Sequence, residues 1–126
     1  MNLSPRILVA EDDALMRQML RATLEQAGYV VEVAVNGREA VAHQQRAAFH
    51  VLLTDLVMPE QEGLETIMEF RRHHPAVKII AMSGGGRGNA EDYLSVAAKL
   101  GARQVLAKPF STEVLLRAVA DQLSTS

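Results

Sequence analysis

The 126-residue sequence contains no cysteine, which excludes disulfides, thiol catalysis and cysteine-type zinc sites. It also lacks a marked excess of either charge. Thirteen Lys and Arg against fifteen Asp and Glu give a formal net charge of −2, with the charges spread along the chain. There is accordingly no basic footprint for nucleic acid and no polybasic run for an anionic membrane surface. No apolar stretch approaches membrane-spanning length, and the opening MNLSPRILVA has neither the basic start nor the apolar centre of an export signal. Linkers, repeats and low-complexity tracts are missing too, apart from a glycine cluster at 84–88. These absences leave one domain, expected to be soluble and cytoplasmic, and long enough to bury roughly two-thirds of its unfolded surface.

What is present is a regular alternation. RILVA (6–10) leads into ALMRQMLRATLEQAG, where Leu15, Met16, Met19, Leu20, Thr23, Leu24 and Ala27 recur at helical spacing. Gly28 stands where such a helix stops. VVEVA (30–34) precedes Asn36-Gly37 and the helical REAVAHQQRA. VLLT (51–54) precedes LETIMEFRRHH, which Pro75 closes. KIIAM (78–82), a helix over about 90–100, QVLA (104–107) and TEVLLRAVADQL complete the series. Strands alternating with helices specify an α/β fold with a parallel sheet covered on both faces. Right-handed crossovers restrict it to a few doubly wound forms.

In such sheets the ligand site lies beyond the carboxyl ends of the strands, where strand order reverses. Glu11, Asp12 and Asp13 follow the first run, Asp55 the third, Ser83 the fourth and Lys108-Pro109 the fifth. An aspartate at a strand end is ordinarily a turn or cap residue. That accounts for one carboxylate, not a converging set. Two carboxylates about 4 Å apart repel by roughly 1 kcal/mol in water and about 4 kcal/mol at an effective dielectric of 20. Such a cluster stays ionised beside a cation, or else keeps a proton. All-oxygen ligands without histidine or cysteine suit Mg²⁺, which accepts phosphate oxygens as well. With a lysine and a hydroxyl added, the set suits a phosphoryl group, and Asp55, on the middle strand, is the best-placed nucleophile for an aspartyl phosphate.

The segments ILVAEDD, LLTDLVMPEQEG, IIAMSG and VLAKPF, in this order and at these separations, resemble the receiver domain of two-component response regulators from about Arg6 to Leu123. The resemblance implies a flavodoxin-like, doubly wound, five-stranded parallel sheet in the order 2-1-3-4-5 with five helices, the chain forming a single receiver domain with its core over about 6–123. It implies Asp55 as the phosphoacceptor and Asp12 as a direct Mg²⁺ ligand. Glu11 then acts through water, and the backbone carbonyl of Val57 is a further ligand. Ser83 matches the switch hydroxyl. Lys108 matches the lysine that contacts the phosphoryl group, with Lys108-Pro109 as a cis peptide aiming it inward. Asp13 falls outside the acidic pair as a helix-start residue. The implied function is Mg²⁺-dependent acceptance of a phosphoryl group from a histidine kinase or histidine phosphotransfer protein. Such a chain is a signalling protein that catalyses only its own phosphorylation and dephosphorylation. Movement of Ser83 toward the phosphate would then carry the following loop with it and alter partner binding.

Two features depart from the family pattern. Many receivers carry an aromatic residue in the last strand, three before the lysine, where this chain has Val105. The hydroxyl–aromatic coupling is therefore absent or replaced. The loop SGGGRGN is longer than usual, with Gly84, Gly85, Gly86 and Gly88 permitting close backbone approach; a lid ordered by phosphorylation and a slack loop both remain open. In the fourth helix Tyr93, Leu94, Val96, Ala97, Ala98 and Leu100 span a wide apolar arc. Burial is the first expectation for it, and a docking or dimer face on helix 4, strand 5 and helix 5 the alternative. His43, His50, His73 and His74 have no mutual ligand spacing and read as surface or helix-end residues; Met58-Pro59 shapes a loop, and Glu60 and Glu62 are solvated. The glycine run lacks the Gly-Lys-Ser/Thr ending of a P-loop. A haloacid-dehalogenase-type phosphatase would want an acid at Val57. A receiver-like module that is never phosphorylated would favour loss of Asp12, Asp55 or Lys108, and all three are present. The chain ends at QLSTS; a natural single-domain regulator and a receiver excised from a longer protein are both open, the first slightly favoured because Met1 precedes the fold and no tag is visible.

Overall fold

The computed structural model describes residues 4–56, 62–84 and 90–124, with side chains over 4–56, 63–84 and 95–124. Strands and helices alternate throughout: β1 (Arg6–Ala10), α1 (Ala14–Gln26), β2 (Val30–Ala34), α2 (Gly37–Arg46), β3 (Val51–Asp55), α3 (Glu62–His73), β4 (Lys78–Ser83), α4 (Ala90–Leu100), β5 (Gln104–Ala107) and α5 (Thr112–Ser124). The strands form one sheet in the order β2-β1-β3-β4-β5, with every neighbouring pair parallel. This is the doubly wound arrangement expected.

The alternation of side chains divides the core in two. Ile7, Val9, Val51, Leu53, Ile80 and Met82 point to the face covered by Leu20 and Leu24 of α1 and Leu115 and Val119 of α5. Leu8, Ala10, Leu52, Ile79 and Ala81 point to the other face, with Ala40 of α2, Ile67 and Phe70 of α3 and Ala97 of α4. Burial on both faces is why the strands read as continuous apolar runs rather than alternating ones. Each fully buried branched side chain stabilises the fold by roughly 1.5–3 kcal/mol.

Local signals set the helix starts and stops. Asp13 caps α1 by accepting the Met16 amide at 2.9 Å, and Asn36 caps α2 by accepting the Glu39 amide at 2.8 Å. Gly28 takes φ +99° after α1, a conformation that side chains disfavour. β3 and β4 each extend one residue past their apolar runs. Asp55 pairs in register with Met82, and Ser83 with Ala107, so both polar residues end strands instead of following them. α2 and α3 start slightly before their periodic segments, at Gly37 and Glu62.

The broad apolar arc of α4, for which burial is the first expectation, is buried only in part among the described side chains. Ala97 is fully buried, but Val96 is 43% exposed and Ala98 is exposed too. Ala97 and half-buried Leu100 seat this part of the helix on the core, and Val96 and Ala98 are left toward solvent. Tyr93 and Leu94 lie outside the described side chains. Among the described residues no helix is long and apolar enough to cross a membrane.

Candidate functional site

The carboxyl ends of β1, β3, β4 and β5 bring the chemistry together. The Glu11 amide donates to the Ala34 carbonyl at 3.0 Å, prolonging the β1–β2 pairing by one residue. Glu11 is buried, at 1% exposure, while its neighbour Asp12 stays exposed. The Glu11 carboxylate is held from two sides: Oε2 accepts the Asp13 amide at 3.2 Å, and Oε1 accepts Lys108 Nζ at 2.7 Å. Asp13, outside the pair, is the cap of α1 as expected.

Asp55 is also buried, at 4% exposure. Lys108 Nζ reaches its Oδ1 at 3.6 Å, so one ammonium serves two carboxylates. Burial pushes the Lys108 pKa down, but the Glu11 hydrogen bond and the charges of Asp55 and Glu11 outweigh it, and the net effect is upward. The lysine is therefore a fixed cation at neutral pH. Its own amide donates to the Ser83 carbonyl at 2.8 Å, and the Lys108-Pro109 bond is cis. Ser83 is fully buried, and its Oγ has no hydrogen-bond partner among the described residues.

Oxygens of the Glu11, Asp12 and Asp55 carboxylates all lie within 4.8 Å of one another. At that separation and an effective dielectric of 20, each ionised pair repels by about 3.5 kcal/mol. Two of the three are buried, and Lys108 offsets part of the repulsion. Oxygen donors at this spacing, with no nitrogen or sulfur among them, fit a hard divalent cation.

The remaining sequence candidates divide clearly. Val105 is 37% exposed on β5, and Pro109 is exposed beside Lys108. A side chain at Gly84 would meet Lys108 Cδ at 3.5 Å, an ordinary contact. Val57, Met58, Pro59, Glu60, Gly85, Gly86 and Gly88 lie outside the described residues, as does the Glu62 side chain. The histidines stand apart from the cluster: His43 lies beside Arg46, His50 accepts the Arg6 amide, His73 meets Glu69 and His74 packs on Phe70.

Two residues that shape the site were not singled out from the sequence. Gly63, in the first turn of α3, packs directly on the backbone of the Asp55–Leu56 segment. A methyl group there would fall against the Asp55 carbonyl oxygen, 2.6 Å from Leu56 Cα and 2.8 Å from the Leu56 oxygen. Its signal in the sequence is a glycine inside a helix start, where alanine would be preferred. Arg17 of α1 donates to the carbonyls of Glu11 and Asp12.

Residues 7–120 match the family described as the response regulator receiver domain. The chain is 35% identical over 115 residues to the chemotaxis protein CheY of Thermotoga maritima, covering 90% of this chain and 93% of that protein. It is 34% identical over 116 residues to the transcriptional regulatory protein ResD of Bacillus subtilis, covering 91% of this chain and 47% of ResD. Among solved structures, the Vibrio cholerae chemotaxis protein CheY4 superposes with a TM-score of 0.83 at 31% identity, over 94% of this chain and 98% of that one. A CheY-like response regulator receiver domain protein from Methanospirillum hungatei superposes with a TM-score of 0.86 at 26% identity, over 96% and 94%.

Proposed function

This chain belongs to the response regulator receiver domain family, a signalling module, and on that premise we propose that Asp55 accepts a phosphoryl group from a phosphohistidine donor and that the modified chain then changes its binding partners. One observation carries the proposal: the carboxylates of Glu11, Asp12 and Asp55 converge within 4.8 Å around an ammonium 2.7 Å from Glu11 and 3.6 Å from Asp55.

An Asp55 carboxylate oxygen attacks phosphorus in line. The O–P bond forms as the N–P bond of the donor breaks, and the donor imidazole keeps that electron pair. Lys108, charged and already directed between Glu11 and Asp55, takes a phosphoryl oxygen in a charge-assisted hydrogen bond. The Ser83 hydroxyl, buried without a hydrogen-bond partner among the described residues, gains an acceptor when Asp55 is modified. Its strand end, and the loop that begins at Gly84, then form the switch. The residues that would hold Mg²⁺ are Glu11, Asp12 and Asp55, with the carbonyl of Val57. When bound, Mg²⁺ supplies positive charge that offsets the repulsion between these carboxylates and the incoming phosphoryl group. Self-catalysed hydrolysis at the same site resets the chain.

The donor is a histidine kinase or a histidine phosphotransfer protein. Leu15 and Met19, 76% and 55% exposed at the start of α1, offer it an apolar contact beside Asp12. For output, exposed Val96, Val105 and Val114 place one apolar side chain on each of α4, β5 and α5. They support that face as the contact for a downstream protein or a second copy of the chain.

Intact-mass measurement after incubation with Mg²⁺ and acetyl phosphate tests the reading. The expected result is one phosphoryl adduct on the native chain, absent from Asp55→Asn and suppressed by chelator. No adduct from either acetyl phosphate or a phosphorylated kinase would overturn it.

A further inference from the structure

After its Asp13 cap, α1 carries a cation, Arg17, as its fourth residue. No acid occupies the first turn, and Arg17 stands close to the positive end of the helix, where a positive charge is unfavourable by about 0.3–1 kcal/mol. Helical side chains lean toward the N-terminus, and Arg17 follows that lean back over the acidic loop. Its Nη1 donates to the Glu11 carbonyl at 2.9 Å and to the Asp12 carbonyl at 3.2 Å. One nitrogen thereby ties two consecutive peptide planes. Among the described residues no hydrogen bond holds the Asp12 carboxylate through its own oxygens, whereas the Glu11 carboxylate has both Lys108 and the Asp13 amide. The direction of the Asp12 side chain is therefore set by the backbone on either side of it, which Arg17 fixes.

We propose that Arg17 is a positioning residue for divalent-cation binding: by bridging the Glu11 and Asp12 carbonyls it holds the loop in the conformation that aims the Asp12 carboxylate at Glu11 and Asp55. The proposal rests on the reading of these three carboxylates as the Mg²⁺ site. It makes a prediction opposite in sign to simple electrostatics. As a mere charge, Arg17 repels a cation, so removing it would tighten Mg²⁺ binding. As a brace, its removal loosens the ligand set. Supporting groups around metal ligands are typically worth 10–100-fold in affinity.

The test is a Mg²⁺ titration followed through the backbone amide shifts of Asp12, Asp13 and Leu56, on the native chain, Arg17→Met, Arg17→Lys and, as control, Asp12→Ala. Methionine keeps a strong helix former at the position, and thermal melts in chelator check that each variant is folded. The expected result is a Kd raised about tenfold in Arg17→Met and about threefold in Arg17→Lys, because the shorter lysine keeps the charge but carries its ammonium less far back toward the two carbonyls that Arg17 Nη1 bridges. Binding by Arg17→Met that is unchanged or tighter, with the native chain saturating normally, would overturn the proposal while leaving the metal reading intact. No saturable shift in the native chain would overturn both. If Arg17→Met does not fold, Arg17→Lys decides, and native affinity in that variant counts against the brace.

Discussion

Replacing Lys108 with methionine removes the ammonium and keeps most of the aliphatic stem, so it isolates the charge. In the native chain Nζ lies 2.7 Å from Glu11 Oε1 and 3.6 Å from Asp55 Oδ1, and the Lys108, Glu11 and Asp55 side chains are 21%, 1% and 6% exposed. At an effective dielectric of 20 the closer contact alone corresponds to about 6 kcal/mol of attraction, much of it cancelled by desolvation of the two ions. Removing one member of a fully buried pair costs about 3–5 kcal/mol. Here the lysine stays partly solvated and Glu11 retains the Asp13 amide, which lowers the expected loss to about 2–3 kcal/mol. Urea denaturation in chelator at neutral pH should show the midpoint falling with an unchanged slope. The gap between native and Lys108→Met chains also depends on pH in a definite sense. Burial opposes the Lys108 charge but is outweighed by Glu11 and Asp55, so the folded pKa is raised. The stabilisation is therefore fully present below the ordinary lysine value of about 10.4 and is lost as pH rises through the higher folded value. The two stability curves should stand apart at neutral pH and converge in strong alkali. Mg²⁺ should narrow the gap as well, because its charge takes over from the missing ammonium. A loss of the same size at neutral and strongly alkaline pH, with or without Mg²⁺, would refute the electrostatic account and leave only packing.

The two glycines near the reacting carboxylate should behave in opposite ways. Gly63→Ala sets a methyl group against the backbone of Asp55 and Leu56, so thermal melts should show a loss of at least about 2 kcal/mol and the Asp55 amide should shift. Gly84→Ala meets only the Lys108 stem at ordinary contact distance; the same melts should show it neutral or stabilised by up to about 1 kcal/mol through reduced freedom of the unfolded chain. Asp13→Ala removes the α1 cap and should cost about 1 kcal/mol of stability, while Mg²⁺ affinity, read by the same titration as for Arg17, stays near native because the Asp13 amide that holds Glu11 belongs to the backbone.

The sequence was most legible where side-chain identity itself carries the information. Strands buried on both faces must be apolar throughout, so RILVA, VLLT and KIIAM announced β1, β3 and β4. The sheet then necessarily gathered whatever followed their carboxyl ends. Glu11, Asp12, Asp55, Ser83 and Lys108 were readable for the same reason: none of them is a residue that a core rim requires. The arc on α4 was legible only in part, because periodicity reports which residues share a helix face, not how closely that face approaches the sheet; Val96 is exposed beside buried Ala97. Arg17 and Gly63 escaped notice for a different reason. Both act on main-chain atoms, the one on the carbonyls of Glu11 and Asp12, the other on the carbonyl of Asp55, and a carbonyl has the same chemistry at every position. Each left only an oddity in its helix, a cation near the positive end of α1 and a glycine in the first turn of α3. Such local violations are expected where a site imposes its own demands. These two residues touch opposite sides of the site, Arg17 the loop after β1 and Gly63 the segment after β3.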